Sequence, residues 1–203
     1  MGLKPAGWKP KSLSRFTMLR MAKPRFYDGP RMSDLACAGE AAWCADRIEA
    51  DLEAGRTVLG FQGWTHSPAR LLRRTRLLSL LSRLRRRGTA VALQVSVTGL
   101  GSTVAEPGIG NVEEELEALA RVSASIGIDW EAVCVRIDPL QRYRLASGDV
   151  LGNLGTASGV LGLAASLGVR RFRTSLLQHG RYRSRIDPRL EARGLRLVPP
   201  DAS

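Results

Sequence analysis

The sequence predicts an α/β fold: repeated βα units around a mainly parallel sheet, forming a partial or small TIM-like barrel. Three observations carry that prediction. Four apolar runs of strand length alternate with segments of helical periodicity, the pattern of βαβ units whose sheet is covered by helices. The chain has 203 residues, 44% of them apolar, which suits one domain able to bury a core. Turn-forming Gly, Pro, Ser and Asn cluster just after the strand runs, where a βα loop needs them.

The elements follow in order. Residues 1–33 are punctuated by Pro, Lys and Gly without periodicity and read as a basic extended arm; residues 34–203 form the single α/β domain. AGEAAWCADRIEADLEAG (38–55) is a helix that stops at Gly55. TVLGFQGWT (57–65) is a buried strand. SPARLLRRTRLLSLLSRLRRRG then forms a helix, with Ser67 as N-cap and Pro68 in the first helical position. At 100° per residue Leu77, Leu78, Leu80, Leu81 and Leu84 share one arc, and Thr75, Arg76, Ser79, Arg83, Arg86 and Arg87 lie opposite.

TAVALQVSVTG (89–99) is the clearest strand. After it Asn111 caps a helix with Glu113, Glu114 and Glu115 in its first turn, where negative charge suits the helix dipole. Val112, Leu116, Leu119, Val122 and Ile126 form that helix's apolar face. AVCVRIDPL (132–140) is a strand expected to stop at Pro139. GTASGVLGLAASLG (155–168) is a small-residue helix whose Gly155, Gly159 and Gly162 allow close packing against the sheet or another subunit. VRRFRTSLLQ (169–178) is a further strand, and DPRLEARGLRLVPP ends the chain as a short helix and a short strand.

Charge narrows the partners. The net charge is +12, and the arginines cluster: residues 70–87 hold eight Arg and no acid, and residues 181–196 hold six Arg against two acids. Planar guanidiniums bind oxyanions bidentately, so a nucleic acid or nucleotide is the partner class implied, with Arg76, Arg83, Arg86 and Arg87 as contacts; a solvated basic helix face is the alternative. No run approaches the ~20 apolar residues that cross a bilayer. The N-terminal residues are basic without an apolar h-region, and Cys37, Cys44 and Cys134 are too scattered for a disulfide framework. These features imply a cytoplasmic protein with three buried, reduced thiols and no membrane partner.

Several short motifs occur in an order with a precedent. They are Trp64-Thr65-His66-Ser67-Pro68; Ser96-Val97-Thr98-Gly99; Glu106-Pro107; Ile126-Gly127; and Arg136-Ile137-Asp138-Pro139-Leu140. Over roughly residues 40–140 the chain resembles an uncharacterised bacterial family of radical-SAM-like barrels, related to spore photoproduct lyase and the radical-type DNA repair photolyases. That resemblance implies a barrel whose ligand lies at the carboxyl ends of the strands, with S-adenosylmethionine and a 4Fe-4S cluster as cofactors. The three-Cys run C-x₃-C-x₂-C that holds such a cluster is absent, since Cys37 and Cys44 are seven positions apart and Cys134 lies in a strand. Three readings stand. The chain is a barrel relative without the cluster that binds a nucleotide-like ligand or nucleic acid. It is an enzyme of the lyase type with an unconventional or partner-supplied cluster. Or it is an interaction module completed by a second copy or a partner chain.

Ligands of parallel α/β sheets sit beyond the carboxyl ends of the strands. The ligand-binding candidates are therefore Trp64, Thr65, Thr98, Gly99, Glu106, Arg136 and Asp138, with Asp138, Glu106 and His66 as candidates for proton transfer. Trp64 could stack on a base, or pack under the neighbouring helix. Arg136 and Asp138 alternate along one strand and so share a face, as an ion pair or as part of a pocket. His66 and His179 are the only histidines, each after a strand; with no third ligand evident no metal site is expected, and exposed loop positions are the simpler reading. The 99–110 loop lacks a Walker lysine and the G-x-G-x-x-G spacing, so its glycines read first as serving positive φ. Ser96 and Ser175 lack a nucleophile-elbow context.

Overall fold

In the computed structural model, residues 23–28, 34–176 and 179–198 are described. In chain order the first half comprises β1 (Arg25–Asp28), α1 (Ala38–Glu53), β2 (Val58–Thr65), α2 (Pro68–Leu71), α3 (Thr75–Arg86), β3 (Ala90–Ser96) and α4 (Val112–Ile126). After a 3₁₀ turn at Trp130–Ala132 come β4 (Val133–Leu140), β5 (Arg142–Leu145), β6 (Val150–Gly152), α5 (Ala157–Ser166), β7 (Arg171–Leu176), α6 (His179–Glu191) and β8 (Leu195–Val198).

β1, β2, β3, β4 and β7 form one sheet in that order, every pairing parallel, as the βα alternation predicts. The sheet is open: β1 and β7 are its two edges and do not meet, so no barrel closes among the described residues. Strand order that advances in one direction, with right-handed crossovers, puts the crossing helices on a single face. That face is the core. Val91, Leu93, Val95, Val133, Val135 and Ile137 point into it and pack with Ile48, Leu77, Leu81, Leu119 and Val160. The other face has no helix over it among the described residues and carries Gln62, Trp64, Gln94, Cys134 and Arg136.

Several expectations change. Within the arm assigned to residues 1–33, Arg25–Asp28 is an edge strand, held by pairing to β2 and by the Tyr27 hydroxyl, which donates to Asp51 at 2.5 Å; residues 1–22 and 29–33 of the arm lie outside the described residues. The helix expected from Ser67 onward divides into α2 and α3, because Arg73-Arg74-Thr75-Arg76 offers no apolar side chain and Arg74 turns its Nε onto the Ala36 carbonyl at 2.9 Å. The leucine arc of α3 is buried throughout. Pro139 does not end β4: the Asp138–Pro139 bond is cis, and the ladder to β7 shifts register between Ile137 and Leu140.

β5, β6 and β8 form a separate antiparallel sheet in the order β6-β5-β8. Strands of four and three residues are too short for alternation to show in the sequence. This sheet builds a second small core of Leu100, Ala105, Tyr143, Leu190 and Leu195, joined to the main domain through the 97–111 loop.

Candidate functional site

Parallel pairing brings the predicted residues to the carboxyl edge of the sheet, on both of its faces. On the uncovered face Trp64 stands beside Gln94, and its indole Nε1 donates to Ser96 Oγ at 3.0 Å. Among the described residues Trp64 packs under no helix. Ser96 pairs in register with Arg136. Arg136 holds Asp138 bidentately, Nε to Oδ1 at 2.9 Å and Nη2 to Oδ2 at 2.6 Å, and its Nη1 reaches Gln94 Oε1 at 3.4 Å. The Asp138 side chain is nearly buried, at 8% exposed, so its carboxylate is committed to Arg136.

β7 extends this face. Arg171 and Arg173 lie in register with Cys134 and Arg136, and in a parallel pair register partners share a side. No carboxylate pairs with either of them among the described residues. The Cys134 thiol sits in their midst. Burial pushes its pKa up, against the downward pull of Arg136, Arg173 and Arg171.

A carboxylate network lies at the ends of β2 and β3. Thr98 is buried; its Oγ1 donates to Glu106 Oε2 at 2.5 Å and accepts from Leu100 N at 3.1 Å. His66 Nε2 lies 3.4 Å from the same Glu106 oxygen, its backbone N–H donates to Asp34 Oδ2 at 3.1 Å, and its ring centroid is 6.2 Å from that of Trp64. Burial pushes the His66 pKa down, but contact with Glu106 and the charges of Glu106, Asp34 and Glu115 outweigh it, so the net shift is upward from 6.5. His66 is a partly buried ion-pair member rather than an exposed loop histidine. His179 opens α6. Thr65 is fully buried and its Oγ1 accepts from Ser67 N at 3.1 Å, which withdraws it from any ligand.

The 97–111 loop is packed on itself. Ser102 N donates to Ile109 O at 2.9 Å, Thr103 Oγ1 to Leu100 O at 2.5 Å, and Arg193 Nη1 to Ala105 O at 2.9 Å. Gly99 and Gly108 adopt φ near +80°, the left-handed region that favours glycine. A Cβ on Gly101 would lie 1.8 Å from the Gly110 carbonyl oxygen. The space left between loop and strand is about 10 Å³, roughly the room one water needs. The glycines serve the chain, and no cofactor fits beneath them.

One residue that the sequence reading assigned only to the helix dipole organises this region. Glu115 is 2% exposed; its Oε1 accepts from Ser67 Oγ at 3.0 Å and Gly110 N at 2.9 Å, and its Oε2 from Ala69 N at 3.0 Å. It therefore ties α4 to the start of α2 and to the end of the loop. A signal existed: at 100° per residue Glu115 falls between Val122 and Ile126, inside the apolar stripe of this helix.

Other expected roles shift as well. Cys37 is exposed, not buried; it precedes the first turn of α1, whereas Cys44 is buried in the core and Cys134 lies on the opposite side of the sheet. Thiols divided among these layers do not fit a 4Fe-4S cluster, and no metal-binding group of three or more His, Cys, Asp or Glu occurs among the described residues. Arg76 pairs with Asp46 at 2.7 Å and Glu49 at 2.5 Å, Arg83 reaches Glu49 at 3.4 Å, and Arg86 bonds Ser82 at 2.9 Å. Two of the four arginines proposed for nucleic acid are thus engaged by α1, while Arg87 is exposed. Gly155, Gly159 and Gly162 have open space where a Cβ would stand, so their spacing serves no packing within the described chain. No helix among the described residues is long and apolar enough to cross a membrane. No family model, curated protein or solved structure matches the chain.

Proposed function

We propose that the protein binds a phosphate-bearing ligand, a nucleotide or a nucleic acid strand, across the uncovered face of its parallel sheet. One observation carries the reading: Arg171 and Arg173 stand beside Cys134 and Arg136 on a face that no helix covers among the described residues, three strands from Trp64. Guanidiniums without carboxylate partners suit phosphate oxygens, and an indole at the edge of such a row offers a base a surface to stack on. The open face also suits an extended ligand better than a small enclosed one.

The same reading keeps the likeness to radical-SAM-like barrels as a matter of scaffold. Most of the motifs that carry it fall at strand ends and in the loops that follow, with Ile126-Gly127 at the end of α4, while the thiols give no support to radical chemistry. Catalysis is not part of the proposal. Asp138 is held by Arg136, and Glu106 is shared by Thr98 and His66.

The test is fluorescence anisotropy with labelled single-stranded oligonucleotides, and quenching of tryptophan emission by mononucleotides, over a series of salt concentrations. Saturable, salt-sensitive binding is expected. Arg171→Ala with Arg173→Ala should flatten the slope of log K against log salt by about 1.4, at about 0.7 per phosphate contact on a single strand. Trp64→Ala should weaken binding by about 1–3 kcal/mol without changing that slope. The reading fails if no probe saturates at low salt, or if these substitutions leave binding intact.

A further inference from the structure

Arg171 and Arg173 have no carboxylate partner among the described residues, and the rest of the chain has little to offer them. Residues 1–22 hold five Lys or Arg and no acid, and residues 29–33 hold Arg31 and no acid. Leu177 and Gln178 are uncharged, and Asp201 is the one acid among residues 199–203. A basic segment laid over these guanidiniums would be repelled. Their counter-charge therefore comes from outside the chain.

The register sets what the ligand must span. Trp64, Gln94, Cys134 and Arg171 are successive partners in one row across β2, β3, β4 and β7. At about 4.8 Å per strand, about 14 Å separates the backbone at Trp64 from that at Arg171. Ser96, Arg136 and Arg173 form the next row, so Arg171 and Arg173 stand about 6.6 Å apart along β7. The aromatic side chains of this face lie on the other side of it. Trp64 is held by its bond to Ser96 Oγ at 3.0 Å, and Phe26, 64% exposed, lies over Gly60. Aromatic rings on β1 and β2 and guanidiniums on β7 divide the face into a side for bases and a side for phosphates.

We propose that the ligand of this face is a single strand of nucleic acid with at least two successive phosphates along β7 and a base on Trp64. This rests on the phosphate-binding function proposed above and narrows its ligand. A mononucleotide holds base and phosphate one sugar apart, so with its base on Trp64 its phosphate falls over Gln94 and Cys134, short of β7. A nucleoside triphosphate reaches further but packs its phosphates more closely than the two arginines stand. Successive phosphates of an extended strand are separated by a sugar, an interval close to the Arg171–Arg173 step, and the bases are free to turn toward β2. A duplex keeps its bases paired inside and offers the indole none.

Competition against a fluorescein-labelled oligothymidylate of about eight residues, read by anisotropy, tests this. The competitors are thymidine monophosphate and triphosphate, trithymidylate with its two phosphodiesters, triuridylate as its ribose counterpart, and the duplex form of the octamer. At least one trinucleotide should compete at least about tenfold better than either mononucleotide, and the two trinucleotides together show which sugar is preferred. Attraction to a chain of net charge +12 favours longer anions by itself, so two double variants that lose equal charge are compared. Arg171→Ala with Arg173→Ala should abolish the step from mononucleotide to trinucleotide. Arg86→Ala with Arg87→Ala, both exposed at the end of α3, should keep it. In a Cys37→Ser background, where Cys44 is buried, a saturating trinucleotide should slow alkylation of Cys134. A mononucleotide or a duplex that competes as well as the trinucleotides overturns the single strand and leaves phosphate binding standing. A step that survives loss of Arg171 and Arg173, or alkylation of Cys134 unchanged by bound trinucleotide, overturns the placement. If the labelled octamer itself does not bind at low salt, both proposals fall.

Discussion

Glu115→Ala should be among the most destabilising single substitutions in this protein. The carboxylate lies at 2% exposure and accepts three hydrogen bonds, from Ser67 Oγ, Ala69 N and Gly110 N. The Ser67 hydroxyl can rotate to a new partner. The two backbone donors cannot, and Ala69 N belongs to the first turn of α2, where no intrahelical acceptor exists. Each buried donor left unsatisfied costs about 1–3 kcal/mol, so the alanine variant should lose about 4 kcal/mol. Glu115→Gln keeps one acceptor. With its carbonyl in the Oε1 position it retains Ser67 and Gly110, but its NH₂ then opposes the Ala69 N–H, for a loss of about 2 kcal/mol. Urea unfolding followed by circular dichroism measures both. At a slope of about 2 kcal/mol per molar, the alanine midpoint should fall by about 2 M and the glutamine midpoint by half of that. An alanine loss below about 1 kcal/mol would refute the reasoning, since it would mean that water satisfies these donors. A glutamine variant as unstable as the alanine one would show that charge, and not the count of acceptors, carries the effect.

Three further expectations follow from the same geometry. His66 should titrate above 6.5 by NMR, and Glu106→Gln should bring it down toward or under that value as burial takes over. Because its folded pKa is the higher one, the stability it contributes is complete below about 6.5 and is lost as pH rises through the raised value. The Tyr27 phenol, pushed up to about 12 by burial and by its bond to Asp51, holds the Asp51 carboxyl below its usual range, together with Arg56 and Arg25. That contribution is present above pH 3.8 and is lost as pH falls through the lowered value, so Tyr27→Phe should move the acid-unfolding midpoint upward. Gly101→Ala should cost about 3 kcal/mol or more, because its Cβ would meet the Gly110 oxygen at 1.8 Å, while Gly159→Ala, in open space on a helix, should gain about 0.5–1 kcal/mol in thermal unfolding.

Local pattern was enough for much of the fold. The leucine arc of α3, the Asn111 capping box with Glu114, and the alternation of Val133, Val135 and Ile137 each follow from neighbours a few positions apart, and each is present. The parallel sheet follows from them, because strands separated by helices have one sterically favoured way to pair. Arg136 and Asp138 could be assigned to one face for the same reason, as strand residues two apart.

The rest depended on which segments meet. Glu115 finds donors 46 and 48 positions away, and Glu106 meets His66 across 40, contacts that no periodicity encodes. Thr65 and Trp64 are adjacent in sequence and point to opposite faces, so one is buried as a cap for Ser67 while the other looks onto the uncovered face. Short strands such as β5 and β6 exist only because β8 and α6 return to cover them. Strand and helix type follow from side chains within a turn or two. Which charged groups share a buried site is set by long-range packing, and this chain's candidate site rests on that second kind of information.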